Sequence, residues 1–581
     1  MLKANPKTPP ERESLPCLTP DHSGSSSTSV SNLGTDDYLG WFPESDSGSQ
    51  TRALLLELYY TYFHPAQPCA LPLHFLRQKT REDPPGMRLL VNVLQFIGSL
   101  YAPKVQSGPL EDLVKASLAE PRPTTNGFEI QALVLYSIAV YWCDEIDRAR
   151  DLLDEATIKA TGIGMNLRAF ATENSGGDPV LAESWRRTWW QLYSTDAHIA
   201  SSNHVAHFGT SQRLIPCTVE LPCEEDEYFS GAIPTPSRTT EEYDNREFAE
   251  DDSDFSSFAY LIGLGRSLDF TIIGIPRVTE ANVKIVCTNA DSCISAWLSL
   301  LSKNKRRFFR EDGTLDELLF KANFLIQIYT VDIHRYLSTL AYTSVESIST
   351  CAPPPPPDRL GPVYSRDAHI HTAKILRAIE RIADMLTLPV RLARHTPFNI
   401  CMIATMTVAH LSACKYVFTG EQLKVARERI RVAMGALEVF AEIWPRGKRV
   451  VGEVKIIARA LLSLEPRPRQ ASITSPKLIF PFPQQNYMHT MSQSQSPQDR
   501  FLYFGGAQSP QDLPEDDLRT TVAQSYIDCA HLSLAQDMSG YFDFPGIGFD
   551  VDMEAFASNN LCSDLSLKTG FPFNLDVSIP Y

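Results

Sequence analysis

Apolar and polar residues follow one another along most of the chain with the spacing of amphipathic helices. Over residues 128–166 an apolar arm, a polar bend at 143–145 and a second apolar arm succeed one another, which predicts a helical hairpin. Gly162 and Gly164 are suited to end its second helix. Runs with the two-residue period of a β-strand are few, and no repeat of solenoid length occurs. The pattern therefore predicts an all-α protein.

The same pattern divides the chain into three parts. Residues 1–50 are rich in Ser, Pro, Gly, Thr and Asp and too polar to offset the entropy of ordering, which predicts a disordered leader. Helical patterning holds over 51–465, where 218–255 is typical of a solvated acidic loop and 352–358, with five consecutive prolines, is typical of a stiff extended linker. Residues 466–581 are of low complexity and become acidic and aromatic, which predicts a second disordered segment.

The last seventy residues mix carboxylates with aromatic side chains, and this mixture is typical of activation segments. Charge keeps the aromatic residues from collapsing, so a groove on a partner can take them up as the segment folds on binding. The alternative is a merely solvated tail. The aromatic residues of the predicted activation segment include Phe542, Phe544, Phe549 and Phe556.

The most apolar run, 398–414, is interrupted by polar residues that would be costly in lipid but suit a buried helix. The first residues show no apolar stretch, so we expect neither secretion nor mitochondrial import, and we expect a soluble intracellular protein. The twelve cysteines are scattered, which is typical of reduced thiols. The net charge of −16 argues against broad affinity for nucleic acid.

The most informative stretch is 183–196, which reads ESWRRTWWQLYSTD. On a helix one face carries Trp185, Trp189, Leu192, Asp196 and Ile199, and the adjoining face carries Arg186, Trp190 and Tyr193. A carboxylate within an apolar stripe is tolerable only when it is paired or hydrogen bonded. We therefore expect a basic partner for Asp196 from another helix.

Together with Leu221-Pro222 and the acidic stretch that reaches Phe229, this segment resembles the signature of the fungal-specific transcription factor domain, the middle homology region of zinc-cluster regulators. The resemblance extends over about 51–465 through residues 62–76, 131–133, 332–338, Trp444 and 454–461. The family's usual His-Arg-Pro-Leu-Ser reads here with Tyr336 in place of proline. The motif residues to which we give a structural role are Arg186, Arg187, Trp189, Trp190, Asp196, His334 and Arg335.

The resemblance implies an all-helical regulatory domain in the nucleus that receives signals and controls an activation segment. Coactivators and a second protomer, in a homodimer or a heterodimer, are the partners it implies. Such regulators commonly govern nutrient assimilation or clusters of secondary-metabolite genes. No active site comes with the resemblance, so we expect no catalytic residue, no cofactor and no enzyme activity.

The family's DNA-reading module, six cysteines that hold two zinc ions, is missing from this sequence. Cys17 is the one cysteine before Cys69, and a single sulfur cannot build such a site. The first hypothesis is a regulator that reaches DNA through a DNA-binding transcription factor. The second is a conventional zinc-cluster factor whose gene model is truncated at the 5′ end.

Two further patterns contain residue types that bind metal ions. The residues His198, His204, His207, Cys217 and Cys223 have ligand chemistry, but their spacing matches no closed site, and we expect no metal there. Asp251, Asp252 and Asp254 resemble the aspartate-rich motif of all-α isoprenoid synthases. Because they lie in the acidic loop and no second metal-binding triplet follows, such an enzyme is the weakest of the alternatives.

A basic run and a His-Arg pair complete the candidate residues. The run Lys303, Lys305, Arg306 and Arg307 could serve as a nuclear import signal, and the alternative is a solvated helix end. We interpret His334 and Arg335 as structural. Since Arg335 and Asp196 both lie in apolar motifs, we expect them to pair across the core.

Overall fold

Helices make up the regular structure of this protein. The computed structural model describes residues 46–121, 124–202, 215–248, 254–273, 282–352, 354–361 and 367–462. Within these ranges there are seventeen α-helices, several single 3₁₀ or π turns and no β-strand, apart from two isolated bridges. The prediction of an all-α protein is confirmed.

The helices are numbered in chain order. The first nine are α1 (Asp46–Leu58), α2 (Leu73–Glu82), α3 (Pro84–Leu100), α4 (Gly108–Ala119), α5 (Gly127–Trp142), α6 (Ile146–Gly162), α7 (Arg168–Glu173), α8 (Pro179–Ser202) and α9 (Glu225–Ser230). The remaining eight are α10 (Thr240–Asp244), α11 (Ser257–Ile273), α12 (Val283–Ser299), α13 (Glu317–Arg335), α14 (Ala368–Leu386), α15 (Asn399–Tyr416), α16 (Gly420–Ile443) and α17 (Pro445–Leu461). Contacts divide the chain after Arg52, and α2 to α17 belong to the unit that follows.

The predicted hairpin is formed by α5 and α6. Asn126 begins α5 by accepting a hydrogen bond from the Glu129 amide, and the bend between the helices places Asp144 at a φ of 78°, a conformation that aspartate tolerates. Every residue of α5 is buried, whereas α6 buries one face. The hairpin prediction is confirmed, and α5 lies in the core between α3, α6 and α8.

The core continues through α13 and α15, which are also buried on nearly all sides. The apolar run 398–414 forms α15, as its polar interruptions predict: Thr407 returns a hydrogen bond to Ile403 O, and Ser412 donates to Ala341 O. Amphipathic helices such as α14 and α17 cover this centre. Among the described residues, no helix combines the length and apolarity needed to cross a membrane.

Two connecting segments differ from their predictions. The segment 218–255 is not simply a solvated loop, because its described part contains α9 and α10 and buries Tyr228 and Tyr243. Both short helices begin with a capping box, in which side chains satisfy the first amides. In the linker 352–358, residues 354–356 lack regular structure and Pro357–Arg359 forms one 3₁₀ turn.

The expectation that all cysteines are reduced is wrong for one pair. A disulfide joins Cys351, at the start of the proline linker, to Cys401 in the first turn of α15, with 4.8 Å between the two Cα atoms. Packing of the linker on α15, where Thr405 Oγ1 donates to Cys351 O at 3.1 Å, brings together thiols fifty residues apart. The predicted leader up to residue 45 and the tail from 463, with its activation aromatics, lie outside the described residues.

Candidate functional site

Helix α8 holds the acidic segment, defined here as residues 217–237, against the helical body. Three side chains of α8 donate hydrogen bonds to this segment: Trp189 Nε1 to Cys217 Sγ at 3.0 Å, Trp190 Nε1 to Glu220 O at 2.9 Å, and Arg186 Nη2 to Ser237 Oγ at 2.7 Å. All three donors are largely buried. The aromatic and basic residues of the motif therefore position a long loop.

Arg187 is the strongest of these attachments. It has no solvent-exposed side-chain surface, and its guanidinium lies 2.8 Å from Glu183 Oε1 and 2.5 Å from Glu225 Oε1. It also donates to Cys223 O at 2.7 Å and lies over the Tyr228 ring, 4.1 Å from the centroid. One buried cation thus gathers α8 and α9 around itself.

The charge on Arg187 is kept in spite of its burial. Burial by itself disfavours the cation, but attraction to Glu225 and Glu183 outweighs this effect and holds the pKa of Arg187 well above its usual range. The guanidinium carries its charge at any physiological pH. The charge that Arg187 contributes to this attachment is therefore independent of pH in that range, while burial raises the pKa of its partner Glu225 and Arg187 opposes the rise.

The acidic segment forms one wall of an open cleft of about 1500 Å³. The opposite wall is residues 303–316, the stretch between α12 and α13. The charged residues that line the cleft include Glu224, Asp226, Arg238, Lys305, Arg307 and Arg310. Because both signs of charge line the cleft, a polar or charged ligand or peptide fits it better than an apolar one.

Ion pairs cross between the two walls. Lys305 pairs with Glu224 and donates to Ser257 Oγ at 2.8 Å, and Arg310 Nη1 lies 3.3 Å from Asp226 Oδ1. Burial raises the pKa of Glu224, while Lys305 opposes the rise. The basic stretch and the acidic segment are thus held together by electrostatics at the edge of the cleft.

The predicted import run lies on this wall. Lys303 and Arg307 are exposed, whereas Lys305 and Arg306 are half-buried, and Arg306 Nε donates to Leu301 O at 3.3 Å. The run follows the end of α12, as the helix-end alternative requires, but Lys305 is occupied by an acidic partner. An import role for the run stays a prediction.

The predicted pair between Arg335 and Asp196 is wrong. Asp196 is fully buried and accepts a hydrogen bond from Arg150 Nη1 of α6 at 2.7 Å, so the expectation of a basic partner from another helix is confirmed. Arg335 instead pairs with Glu346 at 2.9 Å and lies over the Tyr342 ring at 4.2 Å. The reason is geometric. Helix α6 packs against α8, whereas Arg335 is the last residue of α13 and contacts the 3₁₀ turn Ser344–Ile348, which contains Glu346.

His334, the residue before Arg335, contacts side chains of α12 and α14. Its Nε2 lies 3.0 Å from Asp291 Oδ1 on α12, and its Nδ1 lies 2.8 Å from His371 Nδ1 on α14. The sulfur and ring nitrogens of Cys287, His334 and His371 all lie within 4.8 Å of one another. Within the described ranges these three residues form the group that could hold a metal ion.

The other candidate residues have ordinary surroundings where they are described. His198 is buried and stacks on Phe398 with 4.5 Å between ring centroids, and Cys217 accepts the hydrogen bond from Trp189. Asp254 accepts a hydrogen bond from Asn304 at 3.2 Å. His204, His207, Asp251 and Asp252 lie outside the described residues.

The chain is similar to two fungal transcription factors, one of which is named as a C6 finger domain protein. A C6 finger domain transcription factor, iacK, from Pestalotiopsis fici is 30% identical over 417 residues, which is 70% of this chain and 59% of that protein. Cutinase transcription factor 1 alpha from Fusarium vanettenii is 22% identical over 429 residues, which is 68% of this chain and 42% of that protein. The chain thus spans about half the length of these relatives.

These relatives support the resemblance seen in the sequence and a role in transcription regulation. Both are named as transcription factors. No family model matches the chain. No solved structure matches it either.

Proposed function

We propose that this protein is a nuclear transcription regulator that controls genes of metabolism or of secondary-metabolite biosynthesis. Residues 51–465 are the regulatory domain, and the acidic aromatic tail in 466–581 activates transcription by recruiting coactivators. The observation that carries the proposal is the similarity to two transcription factors over about 70% of the chain. The helical body supports it, since the motif residues of α8 hold the acidic segment that forms one wall of a polar cleft.

The protein reaches its sites on DNA by binding to a DNA-binding transcription factor. The six-cysteine zinc pattern does not occur in these 581 residues, and the net charge of −16 disfavours direct contact with phosphates. The basic run supports the same view, because its Lys305 is paired with Glu224. The alternative is a conventional factor whose zinc cluster is encoded upstream of this sequence.

The decisive experiment combines chromatin mapping of the tagged protein with gel shifts of the purified 581-residue chain. We expect occupancy at defined promoters and no sequence-specific shift by the chain alone. A specific shift by the isolated chain would refute the partner mechanism. Transcript sequencing across the 5′ end tests the alternative, because an upstream six-cysteine exon would establish it.

The activation role is tested by fusing residues 466–581 to an unrelated DNA-binding domain. We expect reporter activation that falls when Phe542, Phe544, Phe549 and Phe556 are all changed to Ser, because the charges stay and the aromatic anchors are lost. A merely solvated tail would give no activation in either form. Incubation of the purified protein with prenyl diphosphates tests the enzyme alternative, and a product that requires Asp251 and Asp252 would overturn the proposed function.

A further inference from the structure

Three side chains with metal-ligand chemistry meet where three helices join. Cys287 comes from α12, His334 from the last turn of α13 and His371 from the first turn of α14. Their ligand atoms lie within 4.8 Å of one another, and the two Nδ1 atoms are 2.8 Å apart. The residues are 47 and 37 positions apart in the chain, so this meeting is a product of helix packing.

The three ligand atoms are close enough to bind one tetrahedral ion after side-chain shifts of about 1 Å. Zinc binds imidazole nitrogen at about 2.0–2.1 Å and thiolate sulfur at about 2.3 Å, which places its nitrogens roughly 3.3 Å apart and sulfur and nitrogen roughly 3.6 Å apart. To reach this arrangement the two imidazoles would have to separate by about 0.5 Å, and the sulfur would have to approach the nitrogens by up to about 1.2 Å. One thiolate and two imidazoles are also the donor set that suits zinc, in contrast to the oxygen ligands preferred by calcium or magnesium.

The surroundings of His334 match those of a metal ligand. Its Nε2 lies 3.0 Å from Asp291 Oδ1, and the second oxygen of that carboxylate accepts from Lys374 Nζ at 2.5 Å. A carboxylate that accepts a hydrogen bond from Nε2–H keeps the imidazole proton on Nε2 and leaves the lone pair on Nδ1, the atom that faces His371 and Cys287. Asp291 and Lys374 therefore orient the imidazole and select the tautomer that can bind an ion.

The site is buried on one side and reachable on the other. Cys287 belongs to a buried apolar cluster with Val283, Val286, Ala290, Ile333 and Tyr336. His371 is half-buried and the side chain of Asp291 is 31% exposed. Three protein ligands with access from one side leave the fourth position to water or an external ligand.

We propose that Cys287, His334 and His371 form a three-ligand zinc site, with Asp291 as the carboxylate that supports His334. On binding, the Cys287 thiol releases its proton to water and gives up its contact with Ile333 O, now at 3.3 Å. His371 stays neutral: the proton that its Nδ1 shares with His334 Nδ1 moves to its Nε2, which frees Nδ1 for the ion. The ion ties α12, α13 and α14 together, so zinc stabilises the helical body at a point far in sequence from α8.

The test is zinc binding by the full chain, measured by elemental analysis after dialysis and by competition with a chromophoric chelator. We expect one zinc per chain, with Cys287→Ser and His371→Gln removing it. Cobalt in place of zinc should give the absorption of a tetrahedral thiolate complex, and Cys287→Ser should abolish the thiolate band. Asp291→Asn should weaken zinc affinity about 10–100-fold, the usual effect of losing such a support.

Matched controls lie on the same helices. Cys293 is a free cysteine on α12 and His369 is exposed on α14, and neither belongs to the group. Cys293→Ser and His369→Gln should keep full binding. The proposal is overturned if the wild-type chain holds no zinc, or if the Cys287→Ser and His371→Gln variants, shown to be folded by circular dichroism without metal, hold as much as the controls.

Discussion

Two buried arginines, Arg187 on α8 and Arg335 at the end of α13, belong to motifs of the same family resemblance but are held in different ways. The partners of Arg187 come from distant parts of the chain, at Pro68, Cys223 and Glu225. The partner of Arg335 is Glu346, only eleven residues further on. Arg187 therefore joins separate elements, whereas Arg335 closes a local turn.

Two buried arginines from motifs of one family resemblance can therefore stabilise different parts of a structure. A buried cation whose partners are far apart in sequence stabilises the tertiary arrangement, so its loss should affect the whole body. A buried cation with a nearby partner stabilises mainly the turn in which both lie. The ranking of mutational effects below follows from this contrast.

The largest effect is expected for Arg187→Met. The change leaves the half-buried Glu225 without its counter-charge and the buried Glu183 with only Arg186, 3.4 Å away, and breaking a buried pair in this way costs about 3–5 kcal/mol. Urea denaturation followed by tryptophan fluorescence measures the loss. Arg168→Met is the matched control, because Arg168 is half exposed and lies 3.6 Å from Glu220, so it should cost less than about 1 kcal/mol. Equal midpoints for the two variants would contradict the contrast.

A smaller loss, about 2–3 kcal/mol, is expected for Arg335→Ala, because the buried Glu346 loses a charged partner but keeps the hydrogen bonds from Thr343 N and Oγ1. A double-mutant cycle sharpens the comparison. Arg335 and Glu346 should couple by about 0.5–3 kcal/mol, whereas Arg335→Ala and Asp196→Ala should be additive. A measurable coupling between Arg335 and Asp196 would support the pair predicted from the sequence and contradict the partners seen in the structure.

Replacement of Lys321, a buried lysine, is expected to increase stability. Lys321 is 2% exposed on α13, and burial lowers its pKa to about 7. Burial also lowers the pKa of His198 on α8, and the positive charge of Lys321 is a second, smaller cause of that shift. Lys321→Met should raise the free energy of unfolding at pH 7 by about 1–3 kcal/mol, the usual cost of a buried polar group. Lys448→Met, at an exposed position, is the control and should change little.

The pH dependence of the free energy of unfolding provides a second test of the buried Lys321. Between about pH 7 and the ordinary value of 10.5 the unfolded chain holds a proton on Lys321 that the folded protein does not. This residue therefore makes stability rise with pH across that window. The Lys321→Met variant should lose this part of the rise between pH 7 and pH 9, and a parallel pH profile for the two proteins would argue against a neutral buried lysine.

The smallest effect is expected at the edge of the cleft. Asp226 is 88% exposed and lies 3.3 Å from Arg310, so Asp226→Asn should cost less than about 1 kcal/mol, and the loss should shrink further in high salt. Thermal unfolding at low and high salt measures both points. A loss as large as that of Arg335→Ala would mean that the cleft walls are held together more tightly than their exposure indicates.

The helical body was predictable from the sequence because helix periodicity is a local property. The hairpin of α5 and α6, the buried run that forms α15 and the crowded faces of α8 all follow from the spacing of apolar residues. The need of Asp196 for a basic partner follows as well, since a buried carboxylate must be neutralised wherever it lies. These features depend on residues within one or two turns of each other.

Only the tertiary structure decided which groups meet. The choice of Arg150 for Asp196 depends on the packing of α6 against α8, and the disulfide between Cys351 and Cys401 depends on the seating of the proline linker on α15. Cys287 and His371 belong to no motif, and their approach to His334 results from the joining of three helices. Spacing along the chain determines the face of a helix on which a side chain lies, but the packing of helices in three dimensions determines what that face meets.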